Sequence, residues 1–185
     1  MIEFLRKLLK GLFQPEIHTK EIDRTMRLSA NFTLGEMLKS QTAARHGIDN
    51  TPYEDEVDNM IALAENVLQP VRDHFGRSVN VNSGFRCLEL NRKLGSSDRS
   101  QHTKGEAADI EIYGVSNYEL AEWIKDNLVF DQLILEFWYD PDDEEKNPDG
   151  DPNMGWVHVS YTQHDENRQQ VLTINKHGTF SGLGY

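Results

Sequence analysis

Cysteine is nearly absent from this chain: Cys87 is the only one in 185 residues. No intramolecular disulfide can form, so the fold must be held by its core alone. A thiolate-rich structural zinc site is excluded for the same reason. Cys87 follows Arg86, but no cysteine-protease signature with a His–Asn arrangement accompanies it, and a small half-buried side chain is expected there. Positive charge is also scarce, with 19 Lys and Arg against 31 Asp and Glu, a formal net charge of −12. That balance argues against a nucleic-acid partner, which needs a basic face to neutralise phosphates. It equally disfavours docking on anionic lipid or wall polymers by charge alone. No apolar run approaches the roughly 18 residues that a bilayer span needs.

The first residues, Met1 to Phe13, are apolar but interrupted by Glu3, Arg6, Lys7 and Lys10. There is no unbroken apolar region and no small-residue cleavage site, so no signal peptide is expected. Synthesis in the cytoplasm of a bacterial or phage-infected host follows as the expectation. Leu5, Leu8, Leu9 and Leu12 recur at helical spacing and predict an amphipathic helix, suited to packing on the body, on a partner or on a membrane surface. Residues 14–30 are polar and mixed and read as a linker. The length of 31–185 suits one domain with a full core.

Within it, Thr33 to Glu36, Thr51 to Glu54 and Ser116 to Glu119 each have the spacing of a capping box. A long helix is predicted over about 52–75, with an apolar stripe through Val57, Met60, Ile61, Ala64, Val67, Leu68, Val71 and Phe75. Pro70 should kink it and Gly76 should end it. Beyond Gly76 the period changes to two. Strands are predicted at Val79 to Val81, Ala107 to Ile112, Gln132 to Trp138 and Trp156 to Tyr161, with a short strand and a Gly-rich end after Val171. By alternation, Asp109 points opposite to Ala108 and Ile110. Glu136 points away from Leu133, Leu135 and Phe137, and His158 shares a face with Trp156 and Ser160. Each strand thus offers one apolar face to the helices and one face with a chemically able side chain. The fold class expected is α+β, with helices packed on a small antiparallel sheet whose open face carries a site. Between 140 and 153 runs an acidic stretch, DPDDEEKNPDGD and two further residues, read as a solvated loop; its spacing does not fit an EF-hand calcium loop.

The chemistry gathers on three residues. His102 and Asp109 flank a small-residue turn in SQHTKGEAAD, and His158 follows in GWVHVSY. Two imidazoles and one carboxylate, with a fourth position left for water, form the ligand set of a catalytic zinc site. His46, His74, His164 and His177 have no ligand-like neighbours and read as surface or cap residues.

Ser100-x-His102 with Gly105, Ala107 and Asp109, the upstream Ser83-Gly84-Phe85-Arg86, and the downstream Trp156-Val157-His158-Val159-Ser160 together resemble the zinc D-Ala-D-Ala carboxypeptidases. That superfamily includes vancomycin-resistance dipeptidases, phage L-alanyl-D-glutamate endolysins and the hedgehog signalling domain. The resemblance runs from about Asn31 to the C-terminus and is nearest to the bacterial and phage peptidase branch. It implies zinc on His102, Asp109 and His158, and a peptidoglycan stem peptide as substrate, cut at the D-Ala-D-Ala or the L-Ala-D-Glu bond. It also implies an Arg, here Arg86, that steadies the developing oxyanion or a substrate carboxyl group. The dipeptidase branch carries its base Glu three residues before the last His, where this chain has Gly155. Glu136, from the preceding strand and in an apolar setting that would raise its pKa, is the candidate base instead. The acidic stretch then looks like an insertion in the hairpin between Glu136 and His158. Ser100 either bonds substrate backbone or orients its turn, and Trp156 either walls the site or packs. A zinc peptidase is the expectation, in the setting of a phage endolysin or virion-associated lysin or of a bacterial enzyme. The alternative is a non-catalytic binding module that keeps zinc for structure, as hedgehog relatives do.

Overall fold

A computed structural model describes residues 22–184. The amphipathic helix expected in the first residues lies outside that range. The chain joins the packed body early: Leu28 is buried, and Arg27 bridges to Thr33.

The helical half comes first. A four-residue turn of helix α1 (Leu34–Met37) has the reciprocal cap expected of it, with Glu36 accepting from the Thr33 N–H at 2.8 Å. Next is α2 (Gln41–His46), capped by Ser40, whose hydroxyl accepts from the Ala43 N–H. The long helix begins at Glu54 rather than Pro52, because the cap is Tyr53 with Glu56 as its reciprocal acceptor; Thr51 bonds back to Asp49 instead. Its α-helical part α3 (Glu54–Leu63) runs into a π-helical segment (Ala64–Leu68) and then α4 (Gln69–Phe75), ended by Gly76 in the left-handed region. Pro70 has no N–H and its ring crowds the carbonyl four residues back, and the wider π turn lies just where that conflict arises.

Six strands make one sheet in the order β1-β2-β4-β3-β5-β6. They are β1 (Val79–Ser83), β2 (Ala107–Ile112), β3 (Gln132–Glu136), β4 (Trp156–Ser160), β5 (Gln170–Asn175) and β6 (Gly178–Ser181). The sheet is mixed, not antiparallel as expected: β3 and β5 run parallel, and every other pair is antiparallel. The tail supplies two strands where one was expected. A parallel pair needs a long crossover, and here β4 with the loop behind it returns the chain to the same end of β3.

Alternation holds in the centre of the sheet. Ala108, Ile110, Leu133, Leu135, Val157 and Val159 face Met60, Leu63, Val67, Leu120 and Ile124 in one core. The last two of those lie on α6 (Asn117–Asn127), whose Ser116 cap accepts from the Glu119 N–H. Two further short helical pieces are α5 (Leu88–Lys93) and a 3-10 turn (Gln101–Lys104), the latter tied to α3 by the Asn59 amide donating to the Lys104 carbonyl. The apolar pattern fails at Phe137. Strand β3 stops at Glu136, Phe137 takes a left-handed φ of 54°, and its ring swings out against Trp156 at 5.2 Å. The expected grouping of Phe137 with Leu133 and Leu135 is therefore corrected, since one left-handed residue resets the alternation before Trp138 returns to the core.

The acidic stretch connects β3 to β4. It folds around Asn147, almost wholly buried, whose amide donates to the Tyr139 and Asp151 carbonyls and whose oxygen accepts from the Asp151 N–H. Most of its acidic side chains remain outside.

Candidate metal centre and cleft

Three elements bring the three expected ligands together. The 3-10 turn after Ser100 carries His102. Asp109 comes from β2, and directly opposite it in register on β4 is His158. Their facing atoms are 3.2 Å apart for His102 Nε2 and Asp109 Oδ1, 2.9 Å for His158 Nδ1 and Asp109 Oδ1, and 3.3 Å for the two ring nitrogens. Ligands at ~2.0–2.2 Å from a tetrahedral ion stand roughly 3.3–3.6 Å from one another, so small outward shifts of these side chains would admit a zinc-sized cation. All three side chains are buried, and no other group of three His, Cys, Asp or Glu residues converges this way among the described residues.

The protons are also in order. His102 Nδ1 lies 2.7 Å from the Gly84 carbonyl, an acceptor only, so the ring donates there and turns a lone pair at Nε2 to the centre. Burial pushes His102 below its ordinary pKa, which keeps it neutral as a ligand must be. For Asp109 burial acts the other way, but it is outweighed by His102 and His158, and the carboxyl is held below the usual carboxylate range. A neutral imidazole and an ionised carboxylate are the forms that bind metal.

Gly84 is there for a steric reason. A Cβ at that position would lie 2.5 Å from the Met37 carbonyl oxygen, so only glycine lets the end of β1 approach α1 and aim its own carbonyl at His102. Two residues on, Arg86 is pinned at both edges. Its Nε donates to Ser83 Oγ at 2.8 Å, and Nη2 donates to Asp109 Oδ2 at 2.7 Å. The guanidinium thus holds the outer oxygen of a candidate ligand while it also lines the cleft.

The cleft is a cavity of about 730 Å³ on the open face of the sheet, and His102, Asp109 and His158 lie in its wall. Glu136, Arg86, Ser100 and Trp156 line it as well, so all seven singled-out residues meet in one place. Glu136 pairs with Trp156 across the hairpin. Burial raises its pKa first, with the Asp109 charge adding to this and His158 and Arg86 opposing. Gly155 explains why no acid stands three residues before His158. Its φ is +75°, and a Cβ would fall 1.9 Å from the Glu136 carbonyl oxygen. No side chain fits there. The Ser100 carbonyl accepts from the Thr103 hydroxyl and N–H, which ties Ser100 into the turn that carries His102. The Trp156 indole N–H is buried without a partner.

The cleft also holds residues that the motifs do not reveal. Buried Asp131 receives the Arg168 guanidinium at 2.8 and 2.5 Å and the Gln101 amide at 2.7 Å, and both of those partners line the cavity. Gln101 stood inside the Ser-x-His motif and could have been read. Arg168 stands in a polar stretch with no local signal. His46, His74, His164 and His177 do not line the cavity; His74 stacks on Trp123 at 4.2 Å. No helix among the described residues is long and apolar enough to cross a membrane.

A family model described as Peptidase M15 matches residues 30–138. That span holds Arg86, His102, Asp109 and Glu136 and stops before His158, which joins them through the β2–β4 register. No curated protein matches the chain.

Proposed function

This chain belongs to the peptidase M15 family, the zinc D-Ala-D-Ala carboxypeptidase-like peptidases, and we propose that it is a zinc-dependent peptidase cutting peptidoglycan stem peptides. The observation that carries the metal is the convergence of His102 Nε2, Asp109 Oδ1 and His158 Nδ1 within 3.3 Å of one another. Two imidazoles and one carboxylate leave the fourth position open, which suits catalysis rather than a closed structural site. A zinc ion held there supplies Lewis acidity, polarising the scissile carbonyl and lowering the pKa of water.

The protein's own groups do the rest. Glu136 takes a proton from the attacking water and returns it to the leaving amine, a task favoured by a carboxylate whose pKa is raised toward neutrality by burial. Arg86 keeps Asp109 oriented and presents positive charge to the oxygen that becomes negative. Trp156 and Phe137 make an apolar wall beside Glu136, and Ser100 fixes the turn of His102 while facing substrate backbone. A purely structural zinc module has no use for a half-buried acid beside its metal, which favours catalysis. The setting we favour is a phage lysin or virion-associated enzyme acting on the cell wall, with a bacterial wall enzyme as the other.

Zinc-loaded protein incubated with purified muropeptides, with the products weighed by mass spectrometry, tests this. Loss of terminal D-alanine or separation of L-alanine from D-glutamate is expected. Intact muropeptides after prolonged incubation with zinc present would overturn it.

A further inference from the structure

Asp131, the residue before β3, is tied at every polar atom. Its N–H donates to the Ser160 carbonyl at the end of β4, and its carbonyl accepts from the Gln170 N–H at the start of β5, at 2.8 and 3.0 Å. Its buried carboxylate accepts from Gln101 Nε2, from the Arg168 N–H and from both Nε and Nη2 of the Arg168 guanidinium. Resting on the zinc-peptidase reading above, we propose that Asp131 is a positioning residue for the metal centre. Through Gln101 it fixes the turn that aims His102, and Arg168 is the counter-charge that holds the carboxylate in place.

The sheet order shows why the turn needs a tie on that side. Strands β2 and β4, which carry Asp109 and His158, lie side by side, with β1 beyond the one and β3 beyond the other. The turn with His102 is fastened toward β1, where the Gly84 carbonyl lies 2.7 Å from His102 Nδ1 and the Arg86 N–H donates to the His102 carbonyl at 3.1 Å. At its far end the turn is held from α3 through Lys104. Toward β3 its anchor is the Gln101 side chain, which donates to Asp131 at 2.7 Å. With that anchor cut, the imidazole pivots about its β1 contacts. Nδ1 is pinned there, so Nε2, the atom that faces Asp109 and His158, is the one that swings.

The chemistry of each partner fits this task. A carboxylate only accepts, so the Gln101 amide must turn its NH2 toward Asp131. A buried carboxylate needs a cation, and the Arg168 fork meets both oxygens while half its side chain stays exposed. Arg168, foremost among its partners, holds the Asp131 carboxyl below its ordinary pKa in spite of desolvation, so the acceptor is ionised at neutral pH. Gln101 and Arg168 line the cleft and Asp131 does not, so the carboxylate acts through its neighbours. Gln101 directly precedes His102, and Ser160, bonded to the Asp131 N–H, is two residues from His158. One aspartate thereby sets both histidine-bearing elements relative to each other.

Zinc dissociation constants from chelator competition, taken well below the thermal midpoint of each protein, test this. Gln101→Met keeps the length of the side chain, removes its amide and leaves the Asp131–Arg168 pair intact. It should weaken zinc binding about tenfold, the low end of what losing an outer partner of a metal ligand costs. Asp131→Asn should do the same, and the double variant should be no weaker than either, because both cut one bond. Gln101→Glu combined with Asp131→Asn exchanges the two roles, restores a carboxylate–amide bond with a charge for Arg168, and should recover most of the affinity. In metal-free protein the His102 Nδ1 proton, read by NMR, should exchange with water faster in Gln101→Met than in wild type. Equal zinc affinity and equal proton exchange in wild type and Gln101→Met would overturn the positioning role, whether or not Asp131→Asn folds. Additive losses in the double variant would overturn the route through Gln101. If the wild-type protein binds no zinc, the metal reading fails and the imidazole proton decides the positioning role by itself. Affinity that falls in Gln101→Met and recovers in the exchange, in an enzyme that leaves muropeptides intact, overturns the peptidase function and leaves the positioning role standing.

Discussion

The two carboxylate oxygens of Asp109 serve different partners: Oδ1 faces both histidines, while Oδ2 accepts from Arg86 Nη2 at 2.7 Å. In the proposed mechanism Arg86 therefore serves the candidate metal site as well as substrate. Both side chains are largely buried, and removing one partner of a buried pair costs about 3 kcal/mol or more. Arg86→Ala is expected to lower stability by that order in urea and to weaken zinc affinity about 10- to 100-fold, the usual effect of losing a group that orients a ligand. Arg86→Lys keeps the charge but cannot reach Ser83 and Asp109 together, so it should fall between. Zinc titration of the three proteins checks this.

Glu136 gives a pH signature in metal-free protein. Its folded pKa is raised by burial, so its charged form is penalised in the native state only. That penalty is absent below the ordinary glutamate pKa and fully present above the raised one. Glu136→Gln should therefore be more stable than wild type at neutral pH, and the gap should close as pH falls through the glutamate range. With zinc bound, the same variant should keep its metal yet turn over about 100-fold more slowly, the size of a general-base contribution. Thermal midpoints across pH and steady-state rates read the two effects separately.

Much of this site was legible because it uses residue types with few alternatives. Two histidines and an aspartate in motif order, two of them on strands whose alternation was plain, announced the candidate ligands and the face they share. The helix stripe from Val57 to Phe75 likewise reported the core. Pairing of the tail was not legible, because nothing local to Gln170–Asn175 says that it runs parallel to β3. Nor was the turn at Phe137, where a left-handed residue other than glycine depends on tertiary contacts such as the ring of Trp156 and the bond from its N–H to the Ile174 carbonyl. Arg168 and Asp131 meet only after folding, since charged residues in polar stretches carry no periodic signal.

Gly155 should resist every substitution. Gly155→Ala combines a left-handed φ with a Cβ 1.9 Å from the Glu136 carbonyl oxygen, whereas Gly47→Ala has a similar φ of +63° and open space around it. The first is expected to cost clearly more than the ~1 kcal/mol of backbone strain that the second incurs. Gly155→Glu in a Glu136→Gln background should not restore activity. Chemical denaturation of both alanine variants isolates the clash from the strain.

X-ray absorption at the zinc edge tests the metal centre most directly. The protein loaded with one equivalent of zinc should show two imidazole nitrogens at ~2.0–2.1 Å and oxygen neighbours at ~2.0–2.2 Å, with no sulfur at ~2.3 Å. His158→Ala, which alters the ligand outside the family match, should lose one imidazole from that shell and bind zinc more weakly. A sulfur contribution from Cys87, an unchanged spectrum in His158→Ala, or no zinc retained by the wild-type protein would contradict a centre built from His102, Asp109 and His158.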